Sequence, residues 1–373
     1  MMHPIRYNRA VRRIARVLSL LATLPLSACW TEPAEAGAPP PPERPAMDDA
    51  SVARGREAYL RYCALCHGPD GEGYLADNAP ALRSPDFLRV ASDAFLRVAI
   101  AEGHAGTPMS AWHRDRGGPL DDESIEDVVR YLRSLSDEPQ ADVIGTHIEG
   151  DRTRGAALFA EHCAPCHGAR GEGVTAVSLS SEVFLRTASD GFVRDTIARG
   201  RRGTPMQGYD GRLSSEEIDA LTSFVRALPR RTLPPPAPVG PPPPDLAHIV
   251  LHPDGPAPTF HLREDRFVPG AEVRAALDAG QRMILLDARA PSDWAAGHIV
   301  GAVPFPFYDA TQLIEHIPDR DTWVVAYCAC PHAASGRVVD QLRAAGHMRS
   351  AVLDEGIAWW IQQGYPTERG SVP

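Results

Sequence analysis

The chain has 373 residues, and its 38 Lys and Arg against 48 Asp and Glu give a formal net charge of −10. This acidic balance argues against nucleic acid or anionic lipid headgroups as partners. The length allows two to three domains, and proline-rich stretches indicate where they are separated.

Residues 1–28 have the pattern of an export signal. Several arginines precede the apolar run Val17–Leu26, which is too short to cross a bilayer as a mature anchor. The run ends in Leu26-Ser27-Ala28-Cys29, which resembles the lipobox of bacterial lipoproteins. We predict a periplasmic lipoprotein anchored to either membrane through Cys29, with a proline-rich tether over residues 29–50. Plain secretion is the alternative.

A Cys-x-x-Cys-His motif occurs twice, and a Gly-Thr-Pro-Met motif follows each copy at a similar distance. The first motif is Cys63-Ala-Leu-Cys66-His67, followed by Met109, and the second is Cys163-Ala-Pro-Cys166-His167, followed by Met206. Stretches before, between and after these residues also recur. Residues 51–138 and 152–229 are therefore predicted to be two copies of one small domain.

The spacing of these residues indicates haem attachment. Two thiols at this spacing can form thioether bonds to one haem, and the adjacent His then reaches the iron. A Cys-x-x-Cys pair alone could be a redox dithiol or half of a zinc site, but the repeated His favours haem. A Met as the opposite axial ligand raises the reduction potential. In the first copy, His104 and His113 are alternatives to Met109 as the second axial ligand. In the second copy no His competes with Met206, and because Met109 occupies the equivalent position, we assign it the same role.

On these motifs the two segments resemble tandem class I cytochrome c domains. The resemblance implies two all-α domains, two covalently bound haem c groups and redox proteins as partners. It also implies that the first and last helices of each domain cross at a small residue beside two aromatic rings. It further implies that the backbone of Pro80 supports the proximal His; the second copy lacks this proline, so we expect that haem to be held differently. The crossing residues are Gly55, Tyr59 and Tyr131 in the first copy and Gly155, Phe159 and Phe224 in the second.

Helical patterns bracket each copy. Val52–Tyr62 and Arg152–His162 are predicted to deliver the cysteine pairs. Leu120–Leu135 and Leu213–Leu228 have apolar residues at helical spacing after acidic first turns, which favour a helix N-terminus.

A second proline-rich stretch, residues 230–247, is predicted to be a semi-rigid linker that imposes no fixed contact on the domain after it. Beyond it, residues 257–368 alternate strand and helix patterns, which predicts an α/β domain with a central parallel sheet covered on both faces. The predicted strands are Met283–Ala288, Thr322–Cys328 and Ala351–Asp354. The predicted helices are Pro269–Ala279, Ala334–Ala345 and Ile357–Gln363.

This last domain resembles the rhodanese family in the motifs Leu286-Asp287-Ala288-Arg289, Gly297-His298-Ile299 and Gly364-Tyr365-Pro366. The resemblance implies that Cys328, at the end of a central strand, carries a persulfide and transfers sulfane sulfur. It also implies structural roles for Asp287, Arg289 and His298.

The loop after Cys328 departs from the family. It has no Lys or Arg before Arg337, so only a protonated His332 could assist an anionic substrate. Ala334 occupies the position where a phosphatase-like loop needs Arg. Cys330 is a candidate to resolve a persulfide on Cys328 or to form a disulfide with it. The alternative is that Cys330 is only a small buried apolar residue without a chemical role. Metal capture by Cys328, Cys330 and His332 lacks a fourth ligand.

Three functional hypotheses remain open. In the first, a membrane-tethered dihaem cytochrome c is coupled to turnover of a low-molecular-weight sulfur compound at Cys328. In the second, the chain is a respiratory electron carrier, and its rhodanese-like domain is a binding or docking module without catalysis. In the third, two independent activities share one anchor, which the proline-rich linker permits.

Overall fold

The computed structural model describes residues 49–74, 78–104, 106–143, 145–230, 249–318, 320–329 and 332–370. The predicted export signal, Cys29, Cys330 and nearly all of the tether and of the proline-rich linker lie outside these residues. No helix among the described residues has the length and apolarity needed to cross a membrane.

Two helical repeats with the same element order come first. The first repeat contains α1 (Asp49–Tyr62), α2 (Ala64–His67), α3 (Pro85–Val90), α4 (Asp93–Glu102), a short 3₁₀ helix (Arg114–Arg116) and α5 (Asp122–Ser134). The second repeat contains α6 (Arg152–His162), α7 (Ala164–His167), α8 (Glu182–Thr187), α9 (Asp190–Arg199) and α10 (Ser215–Arg226).

The first and last helices of each repeat cross at the predicted glycines. A Cβ on Gly55 would lie 1.9 Å from the Asp127 carbonyl oxygen, so only a glycine allows α1 and α5 to approach this closely. The rings of Tyr59 and Tyr131 pack beside the crossing with centroids 5.1 Å apart. Phe159 and Phe224 pack in the same way, at 5.1 Å, in the second repeat. The predicted crossing is confirmed in both copies.

Side-chain caps begin the last helix of each repeat, as the acidic first turns predicted. Asp121 accepts the amide of Ser124 at the start of α5. Ser214 and Glu217 form a reciprocal capping box at the start of α10. Caps of this kind satisfy amide groups that have no partner within the helix.

The two repeats pack against each other in a pseudo-twofold manner. Helix α3 contacts α9, and α4 contacts α8, so each repeat uses its two middle helices. Four aromatic rings from equivalent positions meet at the centre. They are Phe87, Phe95, Phe184 and Phe192. Ion pairs surround them, among them Arg186 with Glu102 at 2.8 Å and Arg202 with Asp86 at 3.0 Å.

The third unit is the predicted α/β domain. Its five-stranded sheet is parallel and has the order β1-β6-β5-β2-β4. The strands of this sheet are β1 (Phe267–Val268), β2 (Met283–Asp287), β4 (Val303–Pro304), β5 (Trp323–Tyr327) and β6 (Ser350–Leu353). A small antiparallel pair consists of β3 (His298–Ile299) and β7 (Thr367–Glu368). The helices are α11 (Gly270–Asp278), α12 (Pro291–Ala296), α13 (Ala310–Ile314), α14 (Ala333–Ala344) and α15 (Gly356–Gln362).

Both faces of this sheet are buried, which explains why its strands are apolar without interruption. Ile284, Leu286 and Val324 face a core that continues into the helical repeats, whereas Leu285 and Val325 face a second core. The sequence allowed an α/β domain with no fixed contact to the repeats. In the structure it packs against the first repeat instead, and α14 contacts α2.

Candidate functional site

Each Cys-x-x-Cys-His motif folds into one tight helical turn directly after a long helix. In the first repeat the backbone amide of Cys63 bonds to Tyr59, which ends α1, and the amide of His67 then bonds back to Cys63 at 3.0 Å. The second repeat forms the same bonds from Cys163 and His167. Both histidines are buried, with 7% and 8% of their surface exposed. The turn therefore brings the candidate thioether and axial ligands of each repeat together.

Backbone carbonyls fix the orientation of both candidate axial histidines. Nδ1 of His67 donates to the Pro80 carbonyl at 2.9 Å, and Nδ1 of His167 donates to the Val177 carbonyl at 2.9 Å. A hydrogen bond at Nδ1 leaves Nε2 available as a metal ligand. Burial lowers the pKa of both rings, which keeps them neutral. The expectation that the second histidine is held differently is wrong for this contact, because any residue can supply a carbonyl.

The cysteine pairs do not have the properties of a redox dithiol. Burial raises the pKa of the Cys63 thiol to about 12 and that of Cys163 to about 11. A catalytic dithiol needs a lowered pKa, because the thiolate is the reactive form. In the part of the chain that the structure describes, no group of three His, Cys, Asp or Glu side chains is arranged to hold a bare metal ion. The raised thiol pKa values favour thioether attachment over the dithiol alternative.

The two Gly-Thr-Pro-Met segments form the same turn. The Thr107 hydroxyl donates to the His104 carbonyl at 2.7 Å and accepts the Met109 amide at 3.2 Å. Thr204 makes the equivalent bonds to Arg201 at 2.8 Å and from Met206 at 3.2 Å. The threonine in the motif thus fixes the backbone that presents each methionine.

The two histidines that rival Met109 have other partners. Nδ1 of His104 lies 3.0 Å from the Ser181 hydroxyl, across the contact between the two repeats. Nδ1 of His113 accepts the Asp115 amide at 3.1 Å, and its Nε2 lies 3.3 Å from Asp122. Both ring nitrogens of His113 are engaged, whereas Nε2 of His104 stays free of partners among the described residues. The threonine turn that Met109 shares with Met206 is therefore what supports Met109 over His104 as the candidate sixth ligand.

A half-buried arginine between the repeats has a donor that fits a carboxylate of a haem. The Arg201 guanidinium lies over the Phe87 ring at 5.0 Å and over the Phe192 ring at 5.3 Å. Its Nη1 and the Ser84 hydroxyl are buried and have no hydrogen-bond partner among the described residues. The equivalent pair in the repeat, His104 and Ser181, is hydrogen-bonded. The guanidinium already donates to the Thr196 hydroxyl through Nη2 at 3.0 Å, and a propionate would provide the acceptor that the buried Nη1 requires.

Cys328 in the α/β domain directly follows the central strand β5. Its side chain is buried, with 2% of its surface exposed, and its Sγ lies 3.2 Å from the Ser335 hydroxyl in the first turn of α14. Its carbonyl accepts the Ile357 amide at 3.1 Å. The predicted position of Cys328 at the end of a central strand agrees with the structure, but no role was predicted for Ser335. The only signal for it was its position in the first turn of the helix that follows.

The side chains of His332 and Arg337, which could carry a positive charge near this loop, point away from Cys328. The His332 ring packs on Phe267 with centroids 4.2 Å apart, and its Nε2 lies 2.8 Å from the Asp354 carbonyl. The Arg337 guanidinium lies over the Phe307 ring at 6.0 Å. Neither side chain is directed at Cys328, so the suggested assistance from His332 is not supported. Cys330 lies outside the described residues.

The residues predicted to be structural in this domain are structural. Arg289 forms a two-pronged ion pair with Asp287, which has no exposed surface, and also donates to the Gly297 carbonyl at 2.7 Å. His298 stacks on Trp294 with centroids 4.0 Å apart and bonds to its carbonyl at 2.8 Å. These contacts fix the segment between β2 and β3.

Removing the Asp287 carboxylate is expected to destabilise the α/β domain strongly. In Asp287→Ala the Arg289 charge stays buried without its paired carboxylate, which costs about 3–5 kcal/mol of unfolding free energy. Asp278→Asn, which breaks the exposed pair between Asp278 and Arg274, is the control and should cost less than about 1 kcal/mol. Urea unfolding monitored by tryptophan fluorescence measures both values. Equal losses in the two variants would contradict the argument.

Two family models match the chain. The model for the cbb3-type cytochrome c oxidase subunit III matches residues 50–132 and 150–225. The model for the rhodanese-like domain matches residues 270–363. Together they cover the two helical repeats and the α/β domain.

Two curated proteins and one solved structure illustrate what parts of the chain are similar to. The subunit FixP of the cbb3-type oxidase of Bradyrhizobium diazoefficiens is 31% identical over 194 residues, which are 49% of this chain and 63% of the relative. The subunit CcoP of Rubrivivax gelatinosus is 31% identical over 193 residues, which are 50% of this chain and 58% of the relative. The chain thus spans less than two thirds of either relative. A rhodanese-like domain from Anabaena is 28% identical, covers 29% of this chain and 80% of its own, and has a TM-score of 0.27.

Proposed function

The chain contains two cytochrome c domains of the cbb3-type oxidase subunit III family followed by a rhodanese-like domain, and we propose that it is a dihaem electron carrier coupled to sulfur chemistry. Each helical repeat carries one haem c, bound through two thioethers, one His and one Met. The proposed ligands are Cys63, Cys66, His67 and Met109 in the first repeat and Cys163, Cys166, His167 and Met206 in the second.

The geometry of the motif turns carries the electron-transfer part of the proposal. When bound, each haem takes up and releases one electron. Nδ1 of each histidine is held by a carbonyl, and each Thr-Pro-Met turn presents a sulfur ligand. A His and a Met would together hold each iron, and this ligand pair would favour electron transfer over substrate chemistry at the metal.

The α/β domain contributes a buried thiol at the end of a central parallel strand. The Cys328 thiolate attacks the outer sulfur of a persulfide, the S–S bond breaks, and the donor leaves as a thiolate while Cys328 keeps the sulfur. The Ser335 hydroxyl, 3.2 Å from Sγ, can donate to the thiolate. The α14 N-terminus favours the same negative charge.

Coupling to the haems uses the Cys328–Cys330 pair. Its oxidation to a disulfide releases two electrons and two protons, which is the capacity of two haem groups. A sulfur compound with a terminal thiolate sulfur reduces the disulfide again and is itself oxidised by forming a new S–S bond. The final acceptor is a redox protein in the periplasm or its membrane, where we propose that a lipid on Cys29 holds the chain.

The test is the absorbance of the oxidised holoprotein after addition of glutathione persulfide or thiosulfate. We expect the haem α-band to appear rapidly, and to fail to appear in Cys328→Ser. Chemical reduction of that variant by ascorbate should remain normal. Haems that are reduced equally fast in the variant would contradict the coupling while leaving the electron-carrier function in place.

A second candidate function is an electron carrier with a non-catalytic docking domain. The burial of Cys328, and the orientation of His332 and Arg337 away from it, favour this alternative. It predicts that no sulfur donor reduces the haems through Cys328. The same absorbance experiment therefore separates the two functions.

A further inference from the structure

The α/β domain covers one particular face of the first repeat. The Tyr308 ring packs edge-on against Tyr62, with centroids 4.9 Å apart, and contacts Trp112 at 5.9 Å. Tyr62 directly precedes Cys63, and Trp112 lies three residues after Met109. The covered face is therefore the one formed by both motifs of the first haem domain.

Polar contacts surround this aromatic centre. The Ser110 hydroxyl donates to Asp293 at 2.6 Å, and the Ser292 hydroxyl donates to the Ala111 carbonyl at 2.7 Å. Arg61 donates to Asp309 at 2.6 Å. Ser110 has only 7% and Trp112 only 6% of its surface exposed. An apolar centre with a polar rim has the composition of a specific protein interface.

The same face exists in the second repeat and is open there. His162 and Tyr209 replace Tyr62 and Trp112, and their rings keep the same arrangement, with centroids 5.6 Å apart and an interplanar angle of 47° against 5.7 Å and 50° in the first repeat. Gln207, the counterpart of buried Ser110, is exposed. Cys166 is exposed, whereas Cys66 is half-buried.

The sequence explains why the α/β domain selects the first repeat. Arg61 is replaced by Glu161 in the second repeat, and a carboxylate there would meet Asp309 as a like charge. Gln207 is larger than Ser110 and would not fit the close contact with Asp293. Two substitutions therefore keep the second face free of this domain.

The free face also carries exposed apolar side chains. Val174 has 62% and Val177 has 39% of its surface exposed, and the Val174 amide bonds to the Cys166 carbonyl at 3.1 Å. We call Pro165, Cys166, Val174, Val177, Gln207 and Tyr209 the open face. Small interfaces with an apolar centre are typical of transient electron-transfer complexes.

We propose that the two haem domains serve different partners, and that an external one-electron carrier protein docks on the open face of the second repeat. The first repeat exchanges electrons with the α/β domain, its fixed neighbour. This rests on the proposed electron-carrier function. It identifies the partner as a redox protein with an apolar contact patch, because the α/β domain presents Tyr308 to the equivalent face.

The test measures electron exchange between the full holoprotein and a reduced monohaem cytochrome c as the probe. Val174→Asp places a charge in the open face and should slow the second-order rate about tenfold or more, since association rates vary over ~1–3 decades among variants of one interface. Tyr74→Asp is the matched control, because Tyr74 occupies the equivalent position in the first repeat and is 46% exposed. The second-order rate of Tyr74→Asp should stay within about twofold of the parent, which is small beside the ~1–3 decades that association rates span among variants of one interface.

Hydrogen–deuterium exchange gives a readout that does not depend on electron flow. The probe should protect backbone amides in residues 162–177 and leave residues 62–74 unchanged. Slower exchange in Tyr74→Asp, equal rates in Val174→Asp and the parent, or protection confined to residues 62–74 would overturn the docking proposal. Absence of electron exchange in the parent chain would overturn the proposed electron-carrier function itself.

Discussion

Replacing Gly55 by Ala is expected to unfold the first helical repeat. The new Cβ would lie 1.9 Å from the Asp127 carbonyl oxygen and 2.4 Å from its carbon, and both are backbone atoms in the middle of α5. Neither helix can yield locally, because Tyr59 and Tyr131 are packed beside the crossing. We expect a loss above about 4 kcal/mol, the range reached only when a core contact is destroyed.

Gly145→Ala is the control for this substitution, since a Cβ at that position meets nothing within 4 Å. Gly155→Ala should act like Gly55→Ala on the second repeat, because its Cβ would lie 2.2 Å from the Ala220 carbonyl oxygen. Thermal unfolding monitored by circular dichroism, together with the haem content of each purified variant, provides the measurement. A Gly55→Ala protein as stable as Gly145→Ala would show that the helices do not cross in this way.

Short-range patterns made much of this architecture predictable. Cys63, Cys66 and His67 lie within one helical turn, so their proximity could be predicted from spacing alone. The crossing at Gly55 followed from the family resemblance, and the repeat carried it to Gly155. The buried strands of the α/β domain were visible as uninterrupted apolar runs, because both faces of a parallel sheet are covered.

Contacts between distant segments were not predictable. Tyr308 meets Tyr62 and Trp112 because two folded surfaces are complementary, and no local pattern encodes that fit. The same holds for the Phe87 and Phe192 rings between the repeats, which looked like ordinary core residues. The carbonyl of Val177 replaced that of Pro80 without any sequence signal, since every residue has a carbonyl group.

Because the chain contains two copies of the same domain, the face of the first repeat that the α/β domain covers can be compared with the equivalent face of the second repeat. Tyr62 and Trp112 lie under the α/β domain, while His162 and Tyr209 hold the same geometry without it. The difference between the two faces therefore comes from the side chains and not from the fold. The exchange of Arg61 for Glu161 is sufficient to reverse the charge that Asp309 would meet.

Replacing Met206 by Leu is expected to lower the reduction potential of one haem and leave the other unchanged. A thioether ligand favours the reduced iron, so its removal lowers the potential by roughly 0.2 V, within the ~0.8 V range that axial ligands span. Met109→Leu should lower the other potential in the same way. Redox titration monitored in the α-band resolves both changes, and Met348→Leu, at a methionine that is 67% exposed in the α/β domain, should change neither.

The Met109→Leu variant also decides between the candidate ligands of the first repeat. If His104 were the sixth ligand, this substitution would leave both potentials and the spectrum as they are in the parent. We expect the shift, because the Thr107 hydroxyl holds the Met109 backbone in the same turn as Thr204 holds that of Met206, where no histidine competes. An unchanged titration curve would instead assign the iron to His104 and break the equivalence of the two repeats at their most important position.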